Sequence, residues 1–243
     1  MIRRLGAAVV GCGAIIALAG AIPLPARIMT AFLVVALPFI FLGQARLGDI
    51  PELLPPRHAI YFSSAIGIWL LAGLSGSAGA LSGFSRSDMG LVFPGAARLG
   101  LWSVAATFVA LGALALGRTL RLSENALLRH VLPRTSAEKR WFAMLSLSAG
   151  VGEELAYRAF LIPAIALVTG SVWVAAAISS VAFGAIHSYQ GTTGALRASA
   201  LGFVLAVPFV ITGSVLPSMI AHTAYDIIAG ILLADWIVQE RGA

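Results

Sequence analysis

Eight apolar stretches dominate the chain, near residues 5–22, 27–43, 59–75, 99–117, 141–168, 172–188, 197–212 and 216–234. Crossing the hydrocarbon core of a bilayer as a helix takes roughly 20 mostly apolar residues. Each stretch is close to that length, so the pattern predicts an all-α, polytopic membrane helical bundle of about eight transmembrane helices. Composition agrees. Of the 243 residues, 59% are hydrophobic and only 11% are charged. A soluble globular domain carries about twice that share of charge. Cys12 is the single cysteine, which excludes an internal disulfide and a thiolate metal cluster. Very short links, around Gly170 and around Gly213–Ser214, predict antiparallel neighbours. There is no repeat or low-complexity tail to divide the chain. Residues 1–243 therefore read as one integral membrane domain, with its chemistry in 141–234.

The charge balance is +6, and fifteen of the sixteen basic residues are Arg. In a membrane protein such an excess faces anionic headgroups rather than nucleic acid. With the N-terminus inside, the inner segments hold twelve Lys and Arg and the outer segments hold Arg27, Arg86 and Arg98, which is three. That bias predicts cytoplasmic termini. Short loops and this composition suit a bacterial inner (plasma) membrane. Arg3-Arg4 before an apolar run resembles a signal peptide, but the run leads straight into a second span and reads as a retained anchor. Cys12 reads as a small core residue rather than a lipid-attachment site. The inner loop 118–140 reads as a solvated basic linker, with Ser123, Leu127, Leu128 and Val131 able to form a short interfacial helix. The Gly/Ser-rich outer loop 75–90 reads as mobile.

The informative residues are ionisable ones inside spans: Glu153, Glu154, Arg158, His187, His222 and Asp226. A charge at mid-bilayer costs roughly 2.5–3.5 kcal/mol on insertion scales, so six unpaired would cost on the order of 15 kcal/mol. They must face the interior and pair. Glu154 and Arg158 stand four apart on one helical face, acid first, the favourable order for an ion pair. Glu153 sits about 100° around the helix from Glu154. Arg158 can thus neutralise one carboxylate and leave the other free. Phe183-Gly184-Ala185-Ile186-His187 brings in one imidazole, and Gly184 permits close backbone approach. His222-Thr223-Ala224-Tyr225-Asp226 adds a second imidazole and a further carboxyl. A free carboxylate with two imidazoles can activate a water. Glu153, His187 and His222 can also be drawn as zinc ligands.

In order on late membrane helices, Glu153-Glu154-x-x-x-Arg158, Phe183-x-x-x-His187 and His222-x-x-x-Asp226 resemble the CPBP family, the CAAX prenyl proteases and bacteriocin-processing enzymes also called the Abi family. His187-Ser188-Tyr189-Gln190-Gly191 resembles the family's continuation after the histidine. The resemblance covers about 141–230. It implies an intramembrane endopeptidase with a conical, cytosol-facing cavity. Glu153 then activates water, Glu154 and Arg158 support it, and His187 stands beside the water. His222 and Asp226 fill the last motif, whose second member is often Asn and stabilises the oxyanion. Asp226 departs from that pattern, since an ionised carboxylate repels an oxyanion, and the expectation is that it orients His222. His187 is expected to donate a hydrogen bond to the oxyanion. The resemblance favours a mechanism without a cofactor, zinc on Glu153, His187 and His222 being the older picture. It implies membrane lipids and a peptide or protein substrate, C-terminal or lipid-modified, as partners.

Depth poses a difficulty. At 1.5 Å per residue Glu153 lies roughly 18 Å into its span, with His187 expected near the inner surface and His222 nearer the outer. Tilted helices or misplaced span edges would bring them level. Three other readings compete. Gly73-Leu74-Ser75-Gly76 with His222 imitates a rhomboid-type serine protease, but leaves Glu153, Glu154, Arg158 and His187 unexplained. Buried Glu, His and Asp chains also serve as proton relays in transporters, and a non-proteolytic immunity or scaffold partner would keep the same fold.

Overall fold

A computed structural model describes residues 11–15, 20–44, 54–120 and 126–238. The regular structure of these residues is all helical, and they contain no strand. The helices are α1 (Leu24–Ala31), α2 (Leu37–Gln44), α3 (Arg57–Leu81), α4 (Ala96–Thr119), α5 (Ala126–Val131), α6 (Ser136–Glu154), α7 (Ile162–Thr169), α8 (Val172–Ile186), α9 (Gly191–Thr212), α10 (Leu216–Ile227) and α11 (Ala234–Val238). Three π segments lie between consecutive helices: Phe32–Ala36 and Leu155–Leu161 without a break, and Ile228–Leu232 ahead of a bend at Leu233. The first two run into Leu37-Pro38 and Ile162-Pro163. Proline has no N–H for the helical ladder and its ring crowds the preceding turn, so a widened turn just before it relieves the conflict.

Among the described residues, four helical runs are long and apolar enough to cross a membrane: Leu24–Leu42, Arg57–Leu81, Ala96–Thr119 and Val172–Thr212. The last is 41 residues long and merges two expected spans, 172–188 and 197–212. The junction is a 3-10 turn, His187–Gln190, closed by Gly191 at φ +80°. Leu216–Leu232 is a shorter apolar helix. The expected span 141–168 is one unbroken run, α6 through α7, and it carries the acidic pair. The first expected span lies largely outside the described residues. Of it, residues 11–15 are helical, and the Cys12 thiol donates to the Ala31 carbonyl at 3.6 Å.

The core is centred on the π segment after α6, where Ala156 to Leu161 are all buried. Around it α8 packs on α9, α6 on α10 and on α3, and α4 on α10. Small residues set these approaches. A side chain at Gly152 would strike Ile68 of α3, and one at Gly202 would press on Phe183 and Ser180 of α8.

Two loop expectations are corrected. The outer loop does not begin at 75, since α3 runs to Leu81. The residues after it form hydrogen-bonded turns rather than an open segment. Ser85 donates through its N–H and its hydroxyl to Asp88, at 2.8 and 2.7 Å, and Leu91 N–H donates to Arg86 O at 2.7 Å. The Val215 N–H then donates to Gly90 O at 2.9 Å, and the Ser214 hydroxyl to Val92 O at 2.7 Å. Gly90 holds φ +63°, and any side chain there would collide with Phe209.

The end of loop 118–140, expected to be a solvated basic linker, is held against the bundle. The Tyr61 hydroxyl donates to Val131 O at 2.6 Å, and the Arg57 guanidinium donates to His130 O and lies 3.5 Å from Glu138. Leu132 is buried. A capping box starts α6. Glu138 N–H donates to the Thr135 hydroxyl, while the Glu138 carboxylate accepts from the backbone N–H groups of Arg134 and Thr135. Those two bonds, with a smaller contribution from Arg57, hold the Glu138 carboxyl below its ordinary value. Leu127, Leu128 and Val131 fall in or beside short helix α5, while Ser123 lies outside the described residues.

Candidate active site

Helix α6 meets α10 at Gly150, where a side chain would run into Thr223 and the Met219 carbonyl. Glu154 follows one turn later, and His222 lies between those two contact points on α10. The close approach therefore delivers the Glu154 carboxylate to the His222 ring. Glu154 Oε1 accepts from His222 Nδ1 at 2.8 Å and from Arg158 Nη1 at 2.7 Å. Arg158 Nη2 donates to the Gly202 carbonyl of α9 at 2.8 Å. Glu154, Arg158 and His222 are buried, at 0%, 1% and 3% exposure. The i, i+4 spacing of Glu154 and Arg158 thus becomes an ion pair that a third helix caps.

The other face of His222 meets two more carboxylates. Nε2 lies 3.9 Å from Glu153 Oε2 and 3.7 Å from Asp226 Oδ2. Both distances are charge contacts and too long for hydrogen bonds. The bond that orients the ring comes from Glu154. Glu153 and Asp226 keep 14% and 26% of their side-chain surface exposed, so they form the open side of the cluster. Three carboxylates face Arg158 and His222. Even with His222 protonated, one negative charge is unmatched, which leaves one carboxylate free to take a proton.

His187 joins through Phe183. The Phe183 ring centre lies 4.6 Å from that of His187, 6.0 Å from His222 and 5.3 Å from Tyr157, with the Arg158 guanidinium 4.8 Å from its centre. His187 Nδ1 bonds to the Phe183 carbonyl at 2.8 Å. A carbonyl only accepts, so Nδ1 carries the proton and the Nε2 of neutral His187 is an acceptor. Such a ring receives a hydrogen bond from water and does not give one to an oxyanion. Helix α8 comes this close to α9 because position 184 is Gly, where a side chain would overlap Ser199 and the Ala195 carbonyl.

Arg158, His187 and His222 thus stand around the Phe183 ring, and Glu153, Glu154 and Asp226 join them through the His222 imidazole. The 3-10 turn holds His187 at the end of α8, and the tight α6–α10 crossing brings Glu154 to His222. Phe183 as the shared hub, Gly150 as the crossing point and the Gly202 carbonyl were not singled out from the sequence. Only the small-residue run Ser146–Gly152 hinted at the crossing. For zinc, among the described residues no three His, Cys, Asp or Glu are placed to hold a metal ion. His222 and His187 each donate Nδ1–H to a protein acceptor and keep Nε2 open. Ser75, of the Gly73–Gly76 string, is buried on α3.

Residues 136–228 match the family model described as type II CAAX prenyl endopeptidase Rce1-like. The matched region contains all three motifs. No curated protein and no solved structure matches the chain.

Proposed function

We propose that this chain, an integral membrane protein whose residues 136–228 form a domain of the type II CAAX prenyl endopeptidase Rce1-like family, is an intramembrane endopeptidase that hydrolyses a peptide bond with a water activated by Glu153. The family supports a peptidase. One geometric observation carries the finer reading: Glu154 is consumed by Arg158 and His222, while Glu153 stands on the open side of the same imidazole with no cation of its own. Glu153 takes a proton from water as the water oxygen bonds to the scissile carbonyl carbon. The carbonyl electron pair moves onto its oxygen. The proton then passes to the amine nitrogen, the C–N bond breaks and the carbonyl re-forms, giving a carboxylic acid and an amine. His187 Nε2 accepts from the attacking water and fixes its lone pair. Asp226 sets the charge beside His222 Nε2. No step requires a metal.

The finer placement belongs to the same reading: about eight spans, cytoplasmic termini in a bacterial inner membrane, lipids around the bundle, and a peptide or protein substrate whose cleaved segment is C-terminal or lipid-modified. Comparison of membrane peptides from cells carrying the wild type or Glu153→Gln tests it. Peptides that end at a new terminus only with the wild type are expected. Identical peptide sets from the two, with the variant inserted and folded, would exclude the mechanism. Proton-coupled flux in proteoliposomes would point instead to a transporter.

A further inference from the structure

The chemistry above needs a donor for the oxyanion, and the groups already assigned do not provide a neutral one. Carboxylates of Glu153, Glu154 and Asp226 only accept when ionised. The Nδ1–H of His187 is spent on Phe183 O, and that of His222 on Glu154. Two guanidinium donors of Arg158 are spent on Glu154 and Gly202.

The Tyr157 hydroxyl, packed on the same Phe183 ring, is unspent. Tyr157 is fully buried, at 0% exposure, and its phenol oxygen has no hydrogen-bond partner. Leaving a buried hydroxyl unsatisfied costs about 1–3 kcal/mol, and a phenylalanine would pack in the same ring position without that cost. The ring stands edge-on to Phe183, at 78° and 5.3 Å, so it leans on the same hub as His187 and His222. Its backbone is fixed by the Ser179 hydroxyl, which donates to Tyr157 O at 2.7 Å. Tyr157 follows Glu153 by four residues in the same unbroken helical run and directly precedes Arg158.

We propose that Tyr157 is a catalytic residue whose hydroxyl donates a hydrogen bond to the oxyanion of the tetrahedral intermediate. The inference rests on the peptidase reading. It also accounts for a buried donor held in readiness: a hydrogen bond that forms only when charge develops on the substrate oxygen lowers the barrier without tightening the ground state.

The test uses full-length protein in detergent or proteoliposomes and a peptide that the wild type cleaves and Glu153→Gln does not. For Tyr157→Phe, kcat is expected to fall by about 10²-fold or more, the usual effect of losing one oxyanion donor, with KM nearly unchanged. The melting temperature should hold or rise, because no native hydrogen bond is lost. Full kcat in Tyr157→Phe would overturn the inference and leave the peptidase reading intact. So would a parallel fall of kcat and melting temperature, since that marks a hydroxyl bonded structurally, for instance through a buried water to Glu154 Oε2. If no peptide distinguishes the wild type from Glu153→Gln, the peptidase reading fails and this inference with it.

Discussion

Helices α3 and α4 differ from α6 to α10 in how they use the same apolar vocabulary. Only 17% of the most apolar window of each of the first two is buried in the protein, against 39% for Val172–Thr212. Phe62, Leu70, Phe108 and Val109 point outward. Lipid is as good a solvent for them as a protein core, so their sequence need only be hydrophobic. The later helices bury small and polar residues instead: Gly150, Ser179, Gly184, Gly202, Glu154, Arg158 and His222. Their contacts are backbone-close and hydrogen-bonded, so each position is specific. Hydropathy marks both kinds of helix as apolar, and motif spacing sets the second kind apart.

Substitutions should separate the two regions sharply. The largest effect after loss of Glu153 is expected from Arg158→Ala, which strands the fully buried Glu154 carboxylate. Breaking such a pair costs about 3–5 kcal/mol. Thermal unfolding in detergent should shift accordingly, with peptide cleavage lost, whereas an unchanged midpoint would mean that His222 alone compensates Glu154. Next comes the glycine contrast. Gly184→Val and Gly150→Val push into a neighbouring backbone, so each should lower stability by about 1–3 kcal/mol. Gly67→Ala and Gly112→Ala, where nothing lies within 4 Å, should be neutral or stabilise by about 0.5–1 kcal/mol through helix propensity. Equal responses at all four positions would erase the distinction between the regions. The smallest effect concerns the cap of α6. The folded Glu138 carboxyl titrates below its unfolded value, so its contribution is complete above the ordinary carboxylate range. It disappears as pH falls through the folded value. Glu138→Gln should flatten the acid side of the stability curve slightly, as read by unfolding midpoints across pH. A curve superimposable on the wild type would remove that role.

The acid-first spacing of Glu154 and Arg158, and the glycine before His187, are visible in the sequence because one helix turn or one missing side chain fixes their consequence. The partner of His222 is not visible. Whether its ring meets Glu153 or Glu154 depends on how α10 is rotated against α6, and the contact of Gly150 with Thr223 decides that rotation. Helix boundaries were blurred for a related reason. π segments ahead of Pro38 and Pro163 let the backbone continue where proline suggests a break, and a 3-10 turn joins α8 to α9 where polar residues suggest a loop. The order of residues 85–91 came from Ser85 and Asp88 bonding to each other, a local pairing that Gly/Ser content conceals.

The bonds from Gly90 and Val92 to Val215 and Ser214 tie the earlier half of the chain to the α9–α10 connection, and Tyr61 and Arg57 grip the stretch before α6 from the opposite end. The matched region is therefore not a detachable module. Grafted elsewhere without α3 and its following turn, it would lose the main-chain partners that these bonds supply at both ends of its helices.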